Sequence, residues 1–188
     1  MEEFEWMSAE RRDQVEKLYG RFMDALRSPD DLLNMVLRGH LLVEEQLDRA
    51  VRAFVQRPQD VDAARLTFFQ KIQLTRAFNI RHPDEPVWRA VAALNVLRND
   101  LAHRLTSSER DRKARELITS TREDYPGPDY HAEEEEFTIP EQLQFAIGYL
   151  LGALNGIAGE YEQRARVAKE PVEALLNLEY DSGEGAEE

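Results

Sequence analysis

The chain reads as all-α. Apolar residues recur at three- and four-residue intervals along most of its length, and no segment alternates apolar and polar as a strand would. Start and stop signals fall between these periodic stretches: S-P-D-D at 28–31, R-P at 57–58 and T-I-P-E at 138–141. The 188 residues, 42% apolar and 32% charged, suit one domain. A chain of this length buries about two thirds of its unfolded surface, so it needs neither disulfide nor metal to fold.

The first helix is expected over about residues 8–26, with Leu18, Phe22, Met23 and Leu26 as its apolar face. At 28–31 a Ser caps, a Pro fits the first turn and two acids suit the positive helix end. The second helix then runs to about residue 55 along the stripe Leu33, Val36, Leu37, Leu41, Leu47, Val51 and Phe54, and Arg57-Pro58 ends it. A third covers about 61–78 with Leu66, Phe69, Ile72 and Leu74. The two prolines of 79–86 mark a connector. A fourth helix carries Val87, Trp88, Val91, Leu94, Leu97, Leu101 and Leu105, and a charged helix follows over about 109–120. Residues 122–137 read as a loop. Thr138 and Glu141 form a capping box for a long helix reaching about residue 168, with a short amphipathic piece at 171–178. The expected architecture is a bundle of about four main helices within one domain, residues 1–178, followed by a disordered acidic tail at 179–188.

Charge narrows the function. The net is −13, which by itself argues against phosphate binding. It is unevenly placed. Residues 1–122 hold 21 basic and 20 acidic side chains, whereas 123–188 hold 3 and 17. The stretch 98–122 is locally basic, a net of +3 from seven cations and four acids. Its Arg104, Arg110, Arg112, Lys113 and Arg115 are candidates for contact with an RNA backbone. The same residues equally suit a solvated helix face with i, i+4 pairs. The acidic loop and tail would then shield the basic stretch by mimicking phosphate. The chain has no cysteine, which excludes a disulfide scaffold, thiolate-ligated zinc, iron–sulfur clusters and a thiol nucleophile. It has no Glu-x-x-His of the di-iron bundles, so no metal is expected. No apolar run reaches membrane-span length and the start is acidic, so the expectation is a cytoplasmic protein off the membrane.

One helix departs from an ordinary core pattern. In LNVLRNDLAHRL, residues 94–105, Asn95, Asn99 and His103 lie at i, i+4 and i+8. Arg98 and His103 are five apart, about 140° around the helix. Polar groups in such a row are costly to bury unpaired, so the row faces water, a cleft or an interface. On the second helix His40 and Glu44 form another i, i+4 pair. There, Glu44 or Glu45 can orient Arg98 or His103, or His40 and Glu44 can simply satisfy each other inside the bundle. Arg98 can likewise pair with a carboxylate while His103 sits as a favoured cation near a helix C-terminus.

The run R-N-D-L-A-H at 98–103 resembles the signature of the HEPN superfamily: an Arg, a polar residue, three further residues and a His on a late helix of a small helical bundle. Arg98, Asn99 and His103 match it one by one. The segment RGHLLVEEQLDRAV, residues 38–51, is similar to the second helix of that superfamily, which commonly carries acids. The likeness spans about residues 28–105. It implies a HEPN-like bundle that cleaves RNA without metal or cofactor at a homodimer interface, as in toxin or phage-defence systems, with an antitoxin or regulator as protein partner. His103 would be general base or acid at a ribose 2′-hydroxyl, Arg98 would hold the scissile phosphate, and Asn99 would orient the phosphate or the His. Glu44, Glu45, His40 and Asn95 would support them. Toxins of this superfamily that a nucleotidyltransferase silences carry a Tyr two residues after the His; Leu105 stands there instead. A non-catalytic relative would be a helical binding or regulatory module.

Overall fold

The computed structural model describes residues 8–26, 32–79, 86–102, 107–122 and 137–181. They form seven helices with no strand among them: α1 (Ala9–Leu26), α2 (Leu32–Ala53), α3 (Pro58–Ala64), α4 (Phe68–Phe78), α5 (Val87–Ala102), α6 (Ser107–Arg122) and α7 (Ile139–Asp181). None of these helices is long and apolar enough to cross a membrane.

Four helices close a ring. α2 packs on α7, α7 on α6, α6 on α5 and α5 back on α2. Their inward stripes supply most of the core, including Val36, Val43 and Leu47 from α2, Leu94 and Leu97 from α5, and Ile147, Leu150 and Leu154 from α7. The charged helix α6 is a full member. Ala114, Leu117, Ile118 and Thr121 are buried, a stripe at i, i+3, i+4 and i+7, while the charged residues take the other faces. α1, by contrast, lies outside the ring across α2 and α7. Its Leu18 packs against the core, whereas Met23 and Tyr19 remain exposed. The side chains of Phe22 and Leu26 lie outside the described residues. α4 covers α2 and α5 from the other side.

The expected third helix is two. Arg65 adopts a left-handed conformation, φ 49° and ψ 51°, and closes α3. Thr67 then starts α4 with a complete capping box: its hydroxyl accepts from the Gln70 N–H and its own N–H donates to the Gln70 side chain. This T-x-x-Q signal competes with helix continuation and prevails, because it satisfies N–H groups that a new helix start leaves unpaired. Pro58 opens α3, where its missing N–H costs nothing. At the other end the last helix continues past Pro171 to Asp181, so 139–181 is one element where two were expected. Thr138 and Glu141 cap it as predicted, with the Thr138 N–H donating to the Glu141 carboxylate at 2.7 Å. Residues 123–136 and 182–188, holding most of the expected acidic loop and tail, lie outside the described residues.

The buried face of α2 is also wider than the expected stripe. Met35, Gly39, His40, Leu42, Gln46 and Ala50 are buried with Val36, Leu47 and Val51, because α7 covers one side and α4 and α5 the other. Leu33 and Leu41 lie on the strip left over and are exposed. Gly39 faces Ile147 of α7 at close range. A Cβ there would lie 2.6 Å from Ile147 Cγ2, and Ile147 is fully buried. Gly39→Ala should therefore lower stability by about 1–2 kcal/mol, overpacking outweighing the helix-propensity gain of about 1 kcal/mol. Gly152, exposed on α7 with nothing within 4 Å of such a Cβ, should show the opposite sign on substitution by Ala. Urea unfolding of the two variants checks this; equal signs would contradict the packing argument.

Candidate functional site

α5 carries the polar row on the edge where it meets α2. Its apolar stripe, Val87, Val91, Leu94 and Leu97, is buried, which leaves Asn95 and Arg98 half-buried at the stripe's margin and Asn99 exposed. Arg98 Nη1 donates to Asn99 Oδ1 at 3.0 Å. Among the described residues Arg98 has no carboxylate partner. His103 and Arg104 lie outside the described residues.

Asn95 reaches the other way. Its Oδ1 lies 3.2 Å from Nε2 of His40. With the amide oxygen placed there as acceptor, Nε2 carries the imidazole proton. The His40 ring stacks on Phe68, centroids 4.0 Å apart. Its Nδ1 lies 3.9 Å from Glu44. Burial pulls the His40 pKa below its ordinary value. The Asn95 bond and the Glu44 charge oppose this, while the Arg98 and Lys71 cations add to it. His40 is thus a neutral, packed imidazole within the field of Arg98.

Glu44 and Asp48, both on α2, converge on Lys71 of α4, each at 2.8 Å. Burial alone would lower the Lys71 pKa, but hydrogen bonds to Asp48 and Glu44 outweigh it and the value rises above the ordinary one. Glu45 turns to α1, where Arg21 donates to both of its oxygens at 2.8 and 2.6 Å, and this holds the carboxyl below its ordinary pKa. So Glu44 bonds Lys71 and Glu45 bonds Arg21, and among the described residues neither bonds Arg98. His40 and Asn95 do meet. On α6, Arg112 pairs with Glu116 four residues on, and Lys113 with Glu116 at 3.3 Å. Arg115 is exposed and Arg110 half-buried.

Lys71 escaped the sequence reading. The available signal was a like-charge pair four residues apart on one helix, Glu44 and Asp48, which is destabilising unless a cation arrives from elsewhere. A second unforeseen cluster lies on another face of α2. Arg49 donates to Glu162 at 3.1 and 2.8 Å, to Gln46 at 2.6 Å and to Asn155 at 2.8 Å.

The His40 environment makes a pH prediction. Its folded pKa lies below its unfolded value near 6.5. Above that pH the neutral ring contributes its full stability. As pH falls below it the unfolded chain takes up a proton that the folded chain refuses, so stability drops until the folded pKa is passed. Urea unfolding between about pH 7.5 and pH 5.5 should show a steeper loss for the wild type than for His40→Gln, which does not titrate there. Parallel profiles would refute the assignment.

The described residues form an all-helical protein whose ring of four helices holds a charged, histidine-containing seam between α2, α4 and α5, with Arg98 and Asn99 at its margin. No family model, curated protein or solved structure matches the chain, so the functional reading rests on its own residues.

Proposed function

We propose that the protein is a HEPN-like, metal-independent endoribonuclease that acts as a homodimer, with Arg98, Asn99 and His103 as its catalytic residues. The supporting observation is Arg98. It is a half-buried guanidinium held by the neutral amide of Asn99, without a carboxylate among the described residues. A cation in that state is available to an external anion, and a guanidinium matches the paired oxygens of a phosphodiester.

In this reading His103 removes the proton from a ribose 2′-hydroxyl, whose oxygen attacks the adjacent phosphorus. The 5′-oxygen leaves with a proton returned by an imidazolium. The products are a 2′,3′-cyclic phosphate and a 5′-hydroxyl. An imidazole serves both steps because its ordinary pKa lies near neutrality. Arg98 stabilises the charge that builds on the phosphoryl oxygens, and Asn99 keeps the guanidinium in place. No step needs a metal ion. Activity like that of toxins or phage-defence effectors fits this chemistry.

The test is cleavage of end-labelled RNA in excess EDTA, with product ends mapped. The wild type should cut and leave cyclic phosphate; His103→Ala should lose the activity while keeping its helical circular dichroism. An inert wild type, or cutting undiminished in His103→Ala, would overturn the proposal.

A further inference from the structure

A cleft of about 480 Å³ lies between the first turn of α1, the middle of α2 and the centre of α7, among Ser8, Arg11, Arg49, Asn155, Glu162 and Arg166. It shares no residue with the Arg98 site and does not depend on RNA cleavage there.

Its floor is rigid. Arg49 is fixed by its four bonds to Gln46, Asn155 and Glu162. That network also orients Asn155, which is only 8% exposed. Because the Asn155 Oδ1 accepts from Arg49, the other end of the amide must be its NH2 group. That NH2 group belongs to the cleft lining, and among the described residues no acceptor takes it.

Arg11 forms the wall. Its Nη2 donates to the Gly156 carbonyl at 3.3 Å, and among the described residues it has no carboxylate partner. Its guanidinium rests against α7 only because Gly159 lacks a side chain: an added Cβ would lie 2.8 Å from Arg11 Cζ. Ser8 caps α1 at the same edge, accepting from the Arg11 N–H at 3.3 Å, so the positive end of an 18-residue helix opens here. Exposed Arg166 stands at the rim.

We infer that this cleft binds a small phosphate-bearing ligand, its phosphate oxygens taking Arg11, Asn155 Nδ2 and Arg166. Two guanidiniums, an amide donor on the lining and a helix N-terminus offer more donors than one carboxylate uses, and they suit a dianion with three terminal oxygens. The cleft's size fits a nucleotide-sized molecule rather than a polymer. Glu162 and Glu10, also on the lining, leave acceptors for hydroxyl or amino groups on the rest of it.

The experiment is isothermal titration calorimetry of the full chain with inorganic phosphate, adenosine 5′-monophosphate and adenosine. Phosphate and the monophosphate should bind and adenosine should not. Arg11→Gln should weaken binding about tenfold or more, the usual scale for a charge-assisted hydrogen bond. Gly159→Ala should do the same while melting at or above the wild-type temperature. Its Cβ displaces only the far end of a flexible side chain, and alanine favours the helix. Gly159→Ala also keeps the test decisive if Arg11→Gln folds poorly. Absence of binding by both phosphates, equal binding of adenosine, or affinity unchanged in Gly159→Ala would each overturn the inference. RNA cleavage by the same preparations separates this outcome from that of the nuclease proposal.

Discussion

Arg98→Ala is expected to slow RNA cleavage about 100- to 1,000-fold, the range found when one preorganised donor to a developing oxyanion is removed. The fold should barely register the change. Arg98 gives up a hydrogen bond to a single neutral, exposed partner, Asn99, and such a bond contributes about 1 kcal/mol. Arg98→Lys should recover part of the rate, since the charge returns without the planar fork that matches phosphate. Initial rates on labelled RNA in EDTA, beside urea unfolding of the same preparations, separate these effects. A rate that follows stability, or that ignores Arg98 altogether, would remove this residue from the mechanism.

Arg49→Leu should lower stability by about 3 kcal/mol. The leucine replaces the packed stem but strands the side-chain oxygens of Gln46 and Asn155, which are 2% and 8% exposed. Each buried, unmatched acceptor costs about 1–3 kcal/mol. The ion pair with Glu162 matters less, since that carboxylate is 39% exposed and exposed pairs contribute at most about 1 kcal/mol. Glu162→Gln is therefore expected to cost about 1 kcal/mol or less. The urea midpoint at constant m reads both. Near-equal losses would mean that the charge pair, and not the two neutral amides, holds α2 to α7 at this point.

Much of the fold was legible because helices are written in short-range code. The capping box at Thr138, the Pro58 boundary and the periodic stripes of α2 and α5 all involve residues within a few positions of each other. The misses share one cause. Whether residue 66 sits inside a helix or between two turned on a second capping box at Thr67 prevailing over an apolar period that runs straight through it. Leu41 repeats the period of α2 yet is exposed, because the helices packed on α2 cover its other sides. The sequence left open which helices form the ring; Ala114, Leu117, Ile118 and Thr121, spaced on one face, suffice to seat the charged α6 in it.

The site divides in the same way. The Arg98–Asn99 pair was visible as neighbours in the chain, and Asn95 as part of the row at four-residue spacing. That His40 would meet Asn95, 55 positions away, was open; that Glu44 would meet Lys71 and Glu45 would meet Arg21 was invisible. Arg49 with Asn155 and Glu162, and Arg11 against Gly159, span still longer separations.

Backbone hydrogen bonding and local periodicity thus settled the all-helical class, most helix boundaries and the polar row on α5, because these depend on residues a turn or two apart. Which polar groups neutralise each other and where a cleft opens depended on how the helices cross. A side chain a few ångströms long finds its partner only once the helix axes are placed, and no spacing along the chain encodes that distance.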